Sequence, residues 1–271
     1  MAAMEAATVE QFLAPLIADP QRSAVLLDVD GTLAPITTDT HAATVPSATR
    51  EVLAQIADRY KLVACITGRQ CERAREMVGL GNITYFGNHG SEIMRPGSSK
   101  VEIAPEAAAW QERVQAFAAG AYADSGLERF GIRTEDKGPI AGLHWRGVDD
   151  EAAAEAAVRQ VAQAAEAAGF GLHWAKKILE IRPPSDFSKG SAVHQLLSEQ
   201  EVDNAIFVGD DLTDIHAFKA LDEARAAGEI NHAGKIGVDS DEAPPELAPA
   251  ADVMLPGTEA VVEMLRLLAA A

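Results

Sequence analysis

The sequence predicts a doubly wound α/β fold, a parallel sheet with helices on both faces, interrupted by an inserted α+β domain. Three observations carry this reading. Six short apolar runs, at 24–29, 62–66, 83–86, 205–208, 235–238 and 253–255, read as strands buried on both faces. Helical patterns at 47–59, 71–78, 189–199, 213–228 and 258–268 separate most of them, and strand alternating with helix builds such a sheet. From about 105 to 183 the rhythm changes to helix, strand, strand, given twice.

The elements follow in order. The first 19 residues carry Glu5 and Glu10 in an amphipathic pattern without a basic run, so they read as a surface helix and not as a signal peptide. Strands 24–29 and 62–66 each end in a polar cluster, and 83–86 leads into the loop that holds His89. Within the insert, 106–125 reads as a helix, and 131–136 with 140–146 as two strands around Lys137-Gly138-Pro139. The Ala-rich stretch 149–168 is a good helix former ended by Gly169, and strands at 170–175 and 178–182 close the insert. The expected division is a core of residues 1–104 and 184–271 and an insert of 105–183.

Composition narrows the function. At 271 residues, 48% hydrophobic and 24% charged, the chain is ordinary globular protein with room for two lobes. Its net charge of -18, from 41 acidic and 23 basic residues, repels nucleic acid and anionic lipid, so neither is an expected partner. An anionic substrate would need a locally positive site or a cation. No apolar run approaches the roughly 20 residues that cross a bilayer. Two cysteines, Cys65 and Cys71, make no disulfide scaffold and suit a reducing cytosol. A cytoplasmic monomer is the expectation.

Chemistry collects where strands end. Asp28 and Asp30, two apart with Gly31 to turn the chain, suit a hard cation or a nucleophile beside an acid/base, or simply cap a turn. Thr67-Gly68-Arg69 supplies a hydroxyl, a permissive glycine and a guanidinium that can hold a phosphate, or is an ordinary loop. Asp210, Asp211 and Asp214 are more than one helix cap requires and point to a metal site. Lys189 opens a helix, where a cation opposes the macrodipole. Asp28, Thr67 and Asp210 all fall at strand ends, the edge where open α/β sheets bind ligands. A divalent cation between the acids and a phosphate on Thr67 and Lys189 explains the set.

The order Asp28-Val29-Asp30-Gly31-Thr32, Thr67, Lys189, Gly209-Asp210-Asp211 with Asp214 resembles the haloacid dehalogenase superfamily of phosphohydrolases, with a Rossmann-like core and a C2-type cap as the insert. Further strings narrow the resemblance to the trehalose-6-phosphate phosphatase family. They are Leu33-Ala34-Pro35-Ile36, Ile66-Thr67-Gly68-Arg69, Gly87-Asn88-His89-Gly90-Ser91-Glu92, Leu179-Glu180-Ile181-Arg182-Pro183 and Gly209 to Asp214. Two departures are Ile215-His216, where acidic residues are usual, and Trp145, where Tyr is commoner.

The resemblance implies hydrolysis of trehalose 6-phosphate to trehalose and phosphate, the last step of trehalose biosynthesis. Asp28 would attack phosphorus and Asp30 would protonate the leaving oxygen, then activate water. Mg²⁺ would sit among Asp28, the Asp30 carbonyl and Asp210, with Asp211 or Asp214 holding its waters. Thr67, Gly68 and Lys189 would bind phosphoryl oxygens, with Arg69 close to the substrate. In the insert, alternation groups Arg133, Glu135 and Lys137, then His144 with Arg146, then Glu180 with Arg182. Such a face is solvated or meets sugar hydroxyls, and the resemblance favours Glu135, Lys137, His144 and Glu180 as sugar contacts. Asn88, His89 and Glu92 are candidate substrate contacts at the hinge. His41, His173, His194, His216 and His232 show no metal-site spacing and are left structural. Rival readings are a phosphatase for another sugar phosphate, a sugar phosphomutase and a silent sugar-phosphate sensor.

Overall fold

A computed structural model describes residues 6–37, 43–240 and 243–270 of the chain; His41 lies outside the described residues. The largest element is an eight-stranded sheet centred on β1 (Ser23–Leu27), all five of whose residues are buried. On one side β1 pairs in parallel with β2 (Leu62–Ile66), followed by β3 (Thr84–Gly87). On the other it pairs with β10 (Asn204–Gly209), followed by β11 (His232–Val238) and β12 (Val253–Leu255). These are the six strands read from the apolar runs.

Both sheet faces are covered, which is why the strands are mostly apolar rather than alternating. Val25, Leu27, Val63, Cys65, Ile206 and Val208 pack with α1 (Ala6–Ala18), α2 (Ser47–Arg59), α3 (Cys71–Val78) and α10 (Thr258–Ala270). Ala24, Leu26, Ala64, Ile66 and Phe207 pack with α7 (Lys189–Glu199) and α8 (Asp214–Ala226), and Leu247 of the one-turn α9 (Leu247–Ala250) joins them. Each large side chain buried in this way contributes about 1.5–3 kcal/mol. Helix α1 is more than a surface element, because Leu13 and Leu16 are wholly buried under the sheet. Both cysteines are free and buried, and burial pushes both thiols up, so neither is poised as a nucleophile.

Two strands are additions to the sequence reading. β4 (Glu92–Met94) runs antiparallel to β3, and β5 (Val101–Ile103) completes the edge. Three residues each, around a turn at Pro96-Gly97, they are too short to show a period.

Contacts divide the chain into two compact units: the described parts of Met1–Glu102 with Phe187–Ala271, and Ile103–Asp186. The crossings lie at 102/103 and 186/187, against 104/105 and 183/184 from the change of rhythm. In the second unit the helix expected over 106–125 is two, α4 (Pro105–Ala108) and α5 (Gln111–Asp124), broken at Ala109-Trp110. Next come β6 (Arg133–Asp136) and β7 (Ala141–His144), then α6 (Glu151–Ala167), β8 (Gly171–Ala175) and β9 (Ile178–Arg182). The two hairpins join through β7 and β9 into an antiparallel sheet ordered β6-β7-β9-β8. Leu143, Leu179 and Ile181 on one face pack against Val114 of α5 and Val158 and Val161 of α6, which leaves the polar residues on the other. Among the described residues, no helix is long and apolar enough to cross a membrane.

Candidate active site

Three adjacent strands in the sheet, β10, β1 and β2, carry the chemistry at their carboxyl ends. This is a topological switch point, because the chain leaves β1 for β2 on one side and returns later to β10 on the other. Asp28 follows β1 directly, and its N–H donates to Val208 O at 2.8 Å, extending the ladder by one residue. The chain then folds back: Leu33 and Ala34 both donate to Val29 O, at 2.9 and 2.8 Å, and Gly31 takes φ +77°. A Cβ on Gly31 would lie 2.0 Å from Asp210 Oδ2, and one on Gly209 would lie 2.1 Å from Asp214 Cγ. Glycine at these two positions is what lets the carboxylates come close to the strand ends.

Lys189 is the centre of the cluster. Ser188 caps α7 by accepting from Ser191 N–H, and the Ser191 hydroxyl accepts from Ser188 N–H in return, which fixes where the helix starts. From its first position the Lys189 ammonium donates to Asp28 Oδ1 and Asp214 Oδ1, both at 2.7 Å, and lies 3.7 Å from Asp211 Oδ1. Lys189, Asp28 and Asp214 are all buried. The cation at a helix start is therefore held by carboxylates and not solvated.

The charges do not balance within the protein. Asp28, Asp210, Asp211 and Asp214 face one ammonium. Burial pushes the Asp28 carboxyl well above its ordinary range; Lys189 pulls against this, while Asp210 and Asp211 add to it. Burial and then Asp214 push Asp210 up to about 7, and burial likewise raises Asp214. Burial also works against the Asp211 charge, but Lys189 and hydrogen bonds from Thr213 and Asp214 more than offset it and hold its carboxyl low. Burial opposes the Lys189 charge too, yet Asp211, Asp214 and Asp28 keep it well above the usual lysine value. Ligand oxygens of Asp28, Asp210 and Asp214 lie within 4.8 Å of one another. A buried set of hard oxygen donors with excess negative charge is a fit for a divalent cation.

Asp30 and Asp211 stand outside that close trio. Arg69 donates to both Asp30 oxygens at 2.6 Å, from Nε and Nη2, so Asp28 and Asp30 have different partners despite their spacing. Strand alternation does not govern them, because β1 ends at Leu27. Asp211 Oδ1 accepts from the Thr213 N–H and hydroxyl, at 2.8 and 2.7 Å, and from Asp214 N–H at 3.1 Å, shaping the start of α8. Thr67 is buried at the end of β2, where its Oγ1 accepts from Arg69 N–H at 3.2 Å. Gly68 leaves room for the His89 ring, which a Cβ would approach to 2.6 Å.

Asn88 and His89 have φ +47° and +56°, a conformation that costs a non-glycine residue about 1–3 kcal/mol. The surroundings hold it: Asn88 N–H donates to Arg69 O at 2.8 Å and His89 N–H to Thr67 O at 3.0 Å. The side chains of Asn88 and Glu92 bond each other, Nδ2 to Oε1, at 2.6 Å.

In the second unit, register aligns Glu135, Gly142, Glu180 and His173 in one row across the sheet. Glu135 Oε2 lies 2.7 Å from His144 Nε2, and Lys137 Nζ donates to Glu180 Oε1 at 2.8 Å. A Cβ on Gly142 would lie 3.0 Å from His144 Nε2, so this glycine clears the middle of the face. All four expected insert residues thus share one face. His173 joins them, although its sequence context left it structural. Arg146 lies past the end of β7 and donates to Lys176 O at 3.2 Å.

The chain has relatives of known name. It is 34% identical over 210 residues to an uncharacterized glycosyl hydrolase of Mycobacterium tuberculosis, covering 74% of this chain and 15% of that protein. It is 32% identical over 207 residues to a trehalose-phosphate phosphatase of Mycobacterium avium, covering 73% of this chain and 51% of that one. The chain therefore spans a small part of the first and about half of the second. The C-terminal domain of the Candida albicans trehalose-6-phosphate phosphatase has the same fold, with TM-score 0.78 and 22% identity over 99% of this chain and 98% of that one. The profile of the family described as trehalose-phosphatase matches residues 26–246, a span that takes in Asp28, Thr67, Lys189, Asp210 and the whole second unit, and the chain belongs to that family.

Proposed function

We propose that the chain is a Mg²⁺-dependent phosphatase that hydrolyses trehalose 6-phosphate to trehalose and phosphate, the last step of trehalose biosynthesis, in the cytoplasm and as a monomer. The observation that carries this reading is the buried clamp of Lys189 on Asp28 and Asp214, with Asp210 beside them, at the carboxyl edge of the sheet. In this reading an Asp28 oxygen attacks phosphorus, the bond from phosphorus to the sugar oxygen breaks, and Asp30 gives that oxygen a proton. Asp30 then takes a proton from water, which attacks the aspartyl-phosphate, releases phosphate and restores Asp28. In the resting structure both Asp30 oxygens face Arg69, so proton transfer calls for that pair to part once substrate binds. Thr67, Gly68 and Lys189 bind the phosphoryl oxygens, and Arg69 lies near the substrate.

Asp28, the Asp30 carbonyl and Asp210 would hold Mg²⁺, with Asp211 and Asp214 behind them. When bound, the ion lets an acidic nucleophile meet an anionic ester in a chain of net charge -18. Phosphate release from a panel of sugar phosphates tests the whole reading. Trehalose 6-phosphate is expected to be the preferred member, and a chelator should remove the activity. Equal turnover with and without chelator would overturn the metal assignment; isomerised sugar phosphate in place of free phosphate would favour a mutase.

The insert is proposed as a cap, residues 105–183, that selects the sugar through Glu135, Lys137, His144 and Glu180. The convergence of these side chains on one face supports the assignment. Lys137→Met removes a charged donor and is expected to lower kcat/KM for trehalose 6-phosphate by roughly 10–100-fold. Unchanged kcat/KM on that substrate would remove Lys137 from the sugar site.

A further inference from the structure

Glu92 stands in β4 opposite Gly87 of β3, and both of its carboxylate oxygens accept from the segments around the Thr67 loop. Oε1 accepts from Asn88 Nδ2 at 2.6 Å and Oε2 from Cys71 N–H at 3.1 Å. Cys71 is the first residue of α3, and Gln70 before it supplies no side-chain cap. Glu92 therefore caps α3 from a neighbouring strand, with the sign of charge that a helix start favours. Gly87 makes the reach possible, since a Cβ there would lie 2.5 Å from Cys71 N and 2.9 Å from Glu92 Oε2.

The partner bond matters as much as the cap. Asn88 and His89 hold left-handed backbone, and through it their N–H groups grip the carbonyls of Arg69 and Thr67. The loop from Thr67 to Gln70 is thus fixed at its far end by Glu92 on Cys71 and along its length by a turn whose first side chain Glu92 also holds. That loop presents the Thr67 hydroxyl and the Arg69 guanidinium, and Arg69 sets both oxygens of Asp30.

We propose that Glu92 is a positioning residue: by holding Asn88 and the start of α3 at once, it sets the Thr67 loop and, through Arg69, the Asp30 carboxylate. This gives Glu92 and Asn88 a different task from substrate contact, and it rests on the proposed roles of Thr67 and Asp30 in phosphoryl transfer.

The test reverses the polarity of the Asn88–Glu92 bond. Glu92→Gln keeps the size but removes the negative charge at the start of α3 and leaves one acceptor for the two donors, Asn88 Nδ2 and Cys71 N–H, that the carboxylate holds. In the double variant Glu92→Gln with Asn88→Asp, the oxygen of the introduced glutamine can accept from Cys71 and its amide can donate to the new carboxylate. Asp tolerates left-handed backbone as Asn does. The single variant is expected to lower kcat roughly 10–100-fold while KM changes less than about 3-fold, the mark of misplacement and not of lost binding. Amide hydrogen exchange over residues 67–71 should quicken in the single variant, and the double variant should restore both readouts. Asn88→Gly, which keeps the turn without strain but deletes the partner, should lower kcat in the same direction if Glu92→Gln does not fold. Wild-type kcat and exchange in the single variant would overturn the proposal, as would a loss confined to KM or a double variant no better than the single one. If the wild-type chain released no phosphate from any sugar phosphate, the proposed activity would fall and hydrogen exchange alone would decide whether Glu92 fixes the loop.

Discussion

Asp28→Asn is expected to abolish phosphate release, by roughly 10⁴-fold or more, because the variant lacks the proposed nucleophile. The variant should remain folded. Burial and the adjacent aspartates hold the Asp28 carboxyl above its ordinary range, so its negative charge works against the folded state at neutral pH. A neutral amide of the same shape removes that repulsion and leaves Lys189 on Asp214 and near Asp211. Thermal unfolding measured in chelator should therefore give a Tm equal to or above that of the wild type. Substantial residual turnover would move the nucleophile elsewhere; a large fall in Tm would mean that the carboxylate is chiefly structural.

Lys189→Met acts in the opposite direction on stability and in the same direction on turnover. The ammonium bonds both Asp28 and Asp214 in a buried cluster, and its removal leaves their charges uncompensated. Loss of one partner from a buried ion pair costs about 3–5 kcal/mol. Denaturant unfolding at neutral pH in chelator should show a loss of that size, and Mg²⁺ should recover part of it if the carboxylates bind the ion. Phosphate release should fall by roughly 10²–10³-fold, the cost of losing one charged group that steadies the transferring phosphoryl. A Met variant as stable as the wild type would show that the aspartates are neutral in the resting protein.

Much of this site could be read from the chain because its residues sit where strong local patterns stop. The apolar runs of β2 and β12 and the helices α2, α3 and α7 have the bounds that their patterns predict, and the structure shows what fixes two of them, Gly79 left-handed after α3 and Ser188 boxing the start of α7. Asp28, Thr67 and Asp210 were legible as strand-end residues for the same reason. What escaped was pairing. The Arg69–Asp30 bridge spans 39 residues and depends on two loop shapes that no period encodes. Glu92 reads as a candidate substrate contact, and its two bonds to Asn88 and Cys71 become visible only when β4, three residues long, carries it alongside Gly87. His173 and Gly142 belong to the polar face of the insert only through strand register, which is set by two hairpins joined between β7 and β9.

The place of β1 in the middle of the sheet has a consequence for synthesis. Its partner on one side, β10, pairs Ser23 with Asn204 and Leu27 with Val208, so the two are made far apart in time on the ribosome. Until then the growing chain holds an open strand edge, apolar from Ala24 to Leu27, while the second unit, which has a hydrophobic core of its own, can already be condensing. Closing so distant a pairing is slow compared with local contacts. The unfinished edge is where a nascent or refolding chain is most exposed to aggregation, and where a chaperone would have the most to shield.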